Sequence, residues 1–278
     1  MTTKGKTVLV TGSTDGVGRY VAERLAAHRW RVIVHGRDLA RGAAVVERIT
    51  KQGGEASFLA ADLSSLAEVR SLADAVGRDC DGLEALVNNA GIGTSGTRRE
   101  LSVDGFELRF AVNYLAGFLL TRLLLPMLAS RKSARIVNVA SAGQQPIDFS
   151  DVMLTRGYSG ARAYCQSKLA QILFTFDLAR ELAERSVTVN CLHPATYMDT
   201  TMVRLSGVQP ISTVEQGGAA ILQLIECEAL AGRSELYFSG MQESRADRQA
   251  YNEDARLRLR ALSFDLVGLP DPLAGPAN

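Results

Sequence analysis

Apolar residues fall along the chain in short, unalternating runs of strand length, separated by longer stretches in which they recur every three or four positions. The runs occupy residues 7–10, 31–35, 57–61, 85–88, 135–140, 187–192 and 235–238 and are rich in Val, Ile and Leu. Such runs are expected of strands buried on both faces of a parallel sheet. The stretches between them supply crossover helices: Val17, Tyr20, Val21 and Leu25 follow the first run at helical spacing, and Leu169, Ile172, Leu173, Phe176, Leu178 and Leu182 precede the sixth. The pattern predicts an α/β fold, a doubly wound parallel sheet of seven strands with helices on both faces. No internal repeat or mid-chain linker interrupts it, so residues 1–268 are expected to form one domain. Past the last run, Ala255, Leu259, Leu262 and Leu266 step by four, three and four, predicting an amphipathic helix over about 245–266. Three of the seven prolines crowd the end of the chain, so 269–278 is expected to be a flexible tail.

Composition narrows the class. With 46% apolar and 22% charged residues, 25 Gly and 7 Pro in 278 positions, the chain is neither disordered nor collagen-like. Lys plus Arg number 31 against 30 Asp plus Glu, so no global field would hold it on nucleic acid or an anionic membrane. Cys80, Cys165, Cys191 and Cys227 show no C-x-x-C or His-paired spacing, which argues against a metal site or a disulfide scaffold; they are expected to be reduced, buried thiols. The first residues pass straight into a strand-like run. The most apolar stretch, 118–128, is broken by Arg122 and Pro126 and falls short of the about 18 clean residues a membrane span needs. A cytoplasmic protein without membrane insertion and without a nucleic-acid partner is expected. The basic residues are 26 Arg and only 5 Lys, so a Lys at a chemically loaded position carries unusual weight.

The first strand runs into Thr11-Gly12-Ser13-Thr14-Asp15-Gly16-Val17-Gly18 and then a helical pattern. Glycines here permit a tight turn and let backbone N–H groups and a helix N-terminus approach a pyrophosphate. The spacing G-x-x-x-G-x-G and the lack of a following Lys-Ser or Lys-Thr argue against a nucleotide hydrolase loop. The second strand ends in His35-Gly36-Arg37-Asp38. Gly36 removes the carboxylate that would pair with a ribose hydroxyl, and Arg37 suits a 2′-phosphate, favouring NADP(H) with NAD(H) still open. The competing reading makes Arg37 one of many surface arginines and Asp38 a helix cap. Asp62, after the third strand, suits either an adenine amine or a cap for the helix beginning near Ser65.

In Tyr164-Cys165-Gln166-Ser167-Lys168 the i, i+4 spacing puts a phenol and an ammonium on one helix face. A nearby cation lowers a tyrosine's proton affinity toward neutral pH, which suits acid–base work. Ser141 directly follows the fifth run, Asn88-Asn89-Ala90-Gly91 end the fourth, and Asn113 sits inside the next helical segment, where its amide could serve a water or a backbone kink. All of these belong to the carboxyl edge, where open parallel sheets bind ligands.

With these motifs in order, the chain resembles the short-chain dehydrogenase/reductase family, compact single-domain branch, over about residues 5–240. The resemblance implies a Rossmann-type, NAD(P)-binding catalytic domain. It implies that Asn113, Ser141, Tyr164 and Lys168 form a catalytic tetrad. It places Gly12, Ser13, Thr14, Gly16, Val17 and Gly18 on the cofactor, with Thr11 in the same turn. Arg37, Asp62 and Leu63 continue that set, as do Asn89, Ala90 and Gly91, then Tyr164 and Lys168 themselves, and Pro194 and Thr196 after the sixth strand.

The 22 residues between Ser141 and Tyr164 form an enlarged loop, 142–163, and Tyr158-Ser159-Gly160-Ala161-Arg162-Ala163-Tyr164 is similar to the retinol-dehydrogenase-like and protochlorophyllide-reductase-like subgroup. That likeness implies NADP(H). In His193-Pro194-Ala195-Thr196, Ala195 stands where the family has Gly, which leaves the nicotinamide-contacting role of Thr200 in question; His193 reads as structural. The expected chemistry is hydride transfer between nicotinamide and a carbonyl or secondary alcohol, a ketoreductase-type reaction with Tyr164 as acid and base. Met198, Met202, Val203, Leu205, Val208 and Ile211 lie in the family's lid region, about 195–216. They suit a bulky hydrophobic small molecule, or else simply cover the core. The Arg bias points to a GC-rich bacterial source and a secondary metabolite as substrate. A non-catalytic NADP(H) sensor or a sugar-type epimerase or dehydratase are the alternatives. The family's helix-pair interface would use the apolar residues 115–125 and 169–178, implying a homodimer or homotetramer.

Overall fold

The computed structural model describes residues 5–96 and 98–274. Among the described residues eight strands form one sheet, β1 (Thr7–Val10), β2 (Arg31–Gly36), β3 (Glu55–Ala60), β4 (Ala85–Asn88), β5 (Ala134–Val139), β6 (Val187–His193), β7 (Leu236–Ser239) and β8 (Gln242–Ser244). Their order is β3-β2-β1-β4-β5-β6-β7-β8, parallel from β3 through β7. The eighth strand corrects the expected seven. It is a three-residue antiparallel edge whose residues Gln242, Glu243 and Ser244 are all exposed, so no hydrophobic pattern announces it. Gly240, at φ 58°, makes the hairpin turn back from β7.

The helices are α1 (Gly16–Ala27), α2 (Leu39–Lys51), α3 (Leu66–Asp79), α4 (Ala116–Ala129), α5 (Gly160–Glu181), α6 (Thr201–Leu205), α7 (Val214–Glu226) and α8 (Glu253–Val267). Strand side chains alternate between two apolar layers. Leu9, Ile33, Leu86 and Ile136 face a core built with α3, α4, α5 and α8. Val8, Val10, Val32, Val34 and Val137 face the core built with α1, α2 and α7.

Three expectations change. The C-terminal helix starts at Glu253, where Asn252 accepts the Ala255 N–H, and stops at the left-handed Gly268; the residues before it form β8 and a short 3-10 turn. The expected tail is anchored at its start, because Arg260 binds the Asp271 carboxylate at 2.8 and 2.9 Å; residues 275–278 lie outside the described residues. Of the four thiols only Cys191 is fully buried.

Arg122 and Pro126 do not break their helix. The segment Phe110–Ala129, mean hydropathy 1.5, is long and apolar enough by length and composition to cross a membrane, yet most of it is packed inside the fold. Arg122 is almost fully enclosed, lying over the rings of Phe118, Phe174 and Phe264 and binding Glu181 at 2.7 Å. Many of the apolar residues expected at a helix-pair interface are packed inside the chain: Leu119, Leu120, Ile172, Leu173 and Phe174 are buried, Leu123 and Leu125 are partly so, and Phe264 of α8 packs on Phe118 at 5.2 Å.

Candidate active site

The sheet order reverses between β1 and β4, which opens a crevice at their carboxyl ends. Thr11 ties the two together. Its N–H and its hydroxyl both donate to the Val87 carbonyl, at 3.0 and 3.2 Å, and the hydroxyl accepts from the N–H groups of Asn89 and Ala90. The Asn89 amide donates back to the carbonyls of Thr11 and Gly12, at 2.8 and 3.1 Å. Gly12 has φ 62°, and a Cβ there would stand 2.8 Å from Ala90 Cα, so glycine alone lets the segments meet. Asp15 caps α1 through the Gly16 N–H, while Val17 and Gly18 are buried in its first turn.

His35 holds this turn from behind. Its Nδ1 accepts the Gly12 N–H at 3.1 Å, its carbonyl accepts the Ser13 N–H, and its own N–H donates to the Ser13 hydroxyl. Burial pulls its imidazole down to about 4, so it is neutral and Nδ1 is free to accept. A single His within a Val- and Ile-rich strand carries no signal of such a role.

At the end of β2, a Cβ on Gly36 would lie 2.6 Å from the Thr14 methyl, so the turn packs where a longer side chain would otherwise stand. Arg37 projects into solvent, 3.7 Å from Asp62. Asp38 caps α2 by accepting the Arg41 N–H, and the Arg41 guanidinium lies 3.4 Å from Asp38 and 4.0 Å from Asp15. Asp62 does not cap α3. Ser65 does, and Asp62 instead accepts the Ser64 N–H at 2.9 Å; Leu63 is buried in the core.

Ser141 leaves β5, and its hydroxyl accepts the Gly143 N–H at 3.0 Å. Tyr164 and Lys168 lie one turn apart on α5, which Ser159 caps. The position of a Cβ on Gly143 lies 3.5 Å from the Ser141 hydroxyl and 3.6 Å from the Tyr164 ring, so the three converge. Burial raises the Tyr164 phenol above its ordinary value, and a hydrogen bond with Ser141 only partly offsets this. This corrects the expectation of a net lowering by Lys168. The ammonium stands 5.8 Å from the ring centroid, and burial pulls its own value down to about 7. A phenol so placed keeps its proton at neutral pH, as an acid must.

Asn113 lies in a π-turn, Phe110–Leu115, a device frequent at functional sites and the kink its position suggested. Its side chain accepts the Ile92 N–H at 2.7 Å and donates to the Ile92 carbonyl and the Ser167 hydroxyl. It thereby joins the loop after β4 to α5. Gly91 faces this cluster: a Cβ there would lie 3.2 Å from Asn113 Oδ1 and 3.5 Å from Lys168 Nζ.

Residues 194–213 fold over the glycine turn. Pro194 is buried, and the Thr196 hydroxyl meets His193 Nε2 at 3.0 Å, so Thr196 is engaged away from the turn. Thr200 stands at Gly16 instead, and the Thr201 hydroxyl donates to Asp15 at 2.7 Å. Met202 reaches Gly93 on the other side. The enlarged loop is pinned to the C-terminal segment: Gln144 donates to the Ser141 carbonyl and accepts the Asp247 N–H, and Gln249 exchanges two bonds with Ile147.

The profile of the family described as "short chain dehydrogenase" matches residues 6–209. Human retinol dehydrogenase 11 is 36% identical over 279 aligned positions, covering 96% of this chain and 87% of that protein. A crystal structure of a protein from Mycobacterium paratuberculosis superposes with TM-score 0.81 at 31% identity, covering 96% of this chain and 95% of that one. A short chain dehydrogenase from Burkholderia cenocepacia, crystallised in complex with NADP, superposes with TM-score 0.70 at 29% identity, covering 85% and 96%. The sheet order, the glycine turn at its switch point and these similarities agree: the chain belongs to the short chain dehydrogenase family of oxidoreductases acting on alcohol groups, within its retinol-dehydrogenase-like subgroup.

Proposed function

We propose that this protein is an NADP(H)-dependent oxidoreductase that interconverts a carbonyl and a secondary alcohol on a bulky, hydrophobic substrate, with Tyr164 as the acid and base. The observation that carries the reading is the convergence of the half-buried Tyr164 with the buried Ser141 and Lys168 at the same sheet edge as the glycine turn. When bound, NADP(H) supplies or accepts the hydride. The residues present fit this cofactor. Gly12 to Gly18 offer backbone N–H groups and the start of α1 to a pyrophosphate. Thr14 packs against Gly36 where an acidic side chain would read a ribose hydroxyl, and the exposed Arg37 and Arg41 suit the extra phosphate.

In the reducing direction Tyr164 gives its proton to the substrate oxygen, and Ser141 donates a hydrogen bond to that oxygen as charge develops. Lys168 stabilises the phenolate left behind. Asn113 keeps the loop after β4 against α5, so Gly91 leaves room beside the ammonium.

For the substrate, the exposed apolar side chains of Tyr197, Met202, Leu205 and Ile211 line residues 194–213, which favours a lipophilic molecule over a sugar. The name of the human relative, retinol dehydrogenase 11, denotes a protein acting on retinol, a lipophilic primary alcohol. The test is oxidation of NADPH, followed at the reduced nicotinamide band, with a panel of apolar and polar carbonyls including retinaldehyde. Tyr164→Phe and Lys168→Ala are expected to lose at least a hundredfold in kcat. Activity within tenfold of wild type in either variant refutes the mechanism, and a product formed without net cofactor change would favour epimerisation.

A further inference from the structure

Lys168 sits among groups that the proposed reaction leaves without a role. Gln171, three residues on along α5, is 3% exposed, and its side-chain carbonyl accepts from Lys168 Nζ at 2.9 Å. The Val139 backbone carbonyl accepts from the same nitrogen, also at 2.9 Å. This turn of α5 is itself pinned to the sheet. The Thr175 hydroxyl donates to the Gln171 carbonyl, Asn138 donates to Thr175, and Asn88 donates to Asn138, each at 2.8 Å and each buried. Among the described residues no salt bridge reaches Lys168, so two neutral acceptors hold a buried ammonium. Around it, β5 offers a backbone carbonyl, the π-turn the amide of Asn113 and the loop after β4 only Gly91. The ionisable neighbours are Tyr164 and, beyond it, Cys165, both on α5.

We propose that Gln171 is a positioning residue: its side-chain carbonyl keeps Lys168 charged and fixed beside Tyr164, and so sets the pH range over which the pair can work. The proposal rests on the reading of Tyr164 and Lys168 as the proton-transfer pair. A buried ammonium that loses an acceptor shifts toward the neutral amine, whereas a carboxylate in place of the amide favours the cation.

The five lysines of the chain make a direct test practicable. In ligand-free protein carrying 13Cε-labelled lysine, the Lys168 resonance is assigned by its loss in Lys168→Met and titrated by NMR. Gln171→Met, close in volume, is expected to lower its midpoint by about one pH unit, and Gln171→Glu to raise it by a similar amount. From a wild-type midpoint of about 7, the charged fraction in Gln171→Met would fall roughly ninefold at pH 8 and less than twofold at pH 6. The kcat for NADPH-dependent carbonyl reduction is expected to follow that pattern, whereas a merely structural loss would be equal at both pH values. Midpoints in both variants that coincide with wild type overturn the proposal, as does a pH-independent loss of kcat. Should Gln171→Met fail to fold, the absence of an upward shift in Gln171→Glu alone overturns it. If Tyr164→Phe proves active, the mechanism falls while the NMR titration still decides the link between Gln171 and Lys168.

Discussion

Replacing Arg260 with Ala would remove a cation that is almost fully enclosed between three helices. Its side chain, 3% exposed, binds Asp177 at 2.9 Å and Glu181 at 2.6 Å on α5, and Asp271 just past α8. Arg122 of α4 shares Glu181 and lies 3.9 Å from Asp177. Two guanidinium groups therefore face three carboxylates, and without Arg260 one faces three. Breaking a buried ion pair by deleting one partner costs about 3–5 kcal/mol, because the remaining charges stay desolvated. With about 2.1 cal/mol/K of unfolding entropy per residue, a chain of 278 residues loses roughly 5–9 °C of Tm for that cost.

The pH dependence has a definite sign. Burial raises Asp177 above its ordinary value despite Arg260, so its charge opposes folding at neutral pH and the penalty fades as pH falls through the raised value. Asp271 behaves oppositely: burial pushes its carboxyl up, but the hydrogen bonds from Arg260 and the Leu273 N–H, together with the charges of Arg260 and Arg122, outweigh burial and hold it low. It therefore contributes stability above the ordinary carboxylate range, lost as pH falls through the lowered value. Without Arg260 both carboxyls rise, so the deficit of the variant should shrink between pH 7.5 and pH 5.5. Thermal unfolding followed by circular dichroism at the two pH values measures this. A Tm within 2 °C of wild type at pH 7.5, or an equal loss at both pH values, refutes the reasoning.

Two further outcomes follow from the site. Gly36→Asp should raise the NADPH KM about fivefold or more without improving NADH, because its Cβ must displace the Thr14 methyl, 2.6 Å away, at about 1–3 kcal/mol; a simple exchange of preference would contradict this packing. Thr201→Val removes the bond to Asp15, a carboxyl that this hydroxyl, more than any other group, holds below its ordinary value. Discounted for exposure, that bond contributes about 1 kcal/mol, so tryptic cleavage after Arg204 should accelerate roughly fivefold at neutral pH, and an unchanged cleavage rate would show that the bond does not hold residues 194–213 closed.

The strands buried on both faces were legible because each is a continuous apolar run, and their bounds differ from the observed ones by a residue or two. The family likewise declared itself through chemistry that needs particular residues at particular spacings: Gly12, Gly16 and Gly18 at a strand end, and Tyr164 one helical turn from Lys168. What escaped were features whose residues are ordinary in type. β8 is exposed and polar, His35 stands in a buried strand, and Gln171 reads as one more position in an apolar helix. Asp62 offered two carboxylate roles, and the backbone path gave the cap of α3 to Ser65 instead.

The sequence by itself determined the sheet, its crossovers and the residue types at its carboxyl edge, because hydrophobic periodicity and glycine sterics act locally along the chain. Tertiary structure decided what each polar group does. Burial, a property of the whole fold, raises Tyr164, lowers Lys168 and keeps His35 neutral. Long-range packing lays α8 on α4 and α5, covering much of their apolar surface, and brings Thr201 to Asp15.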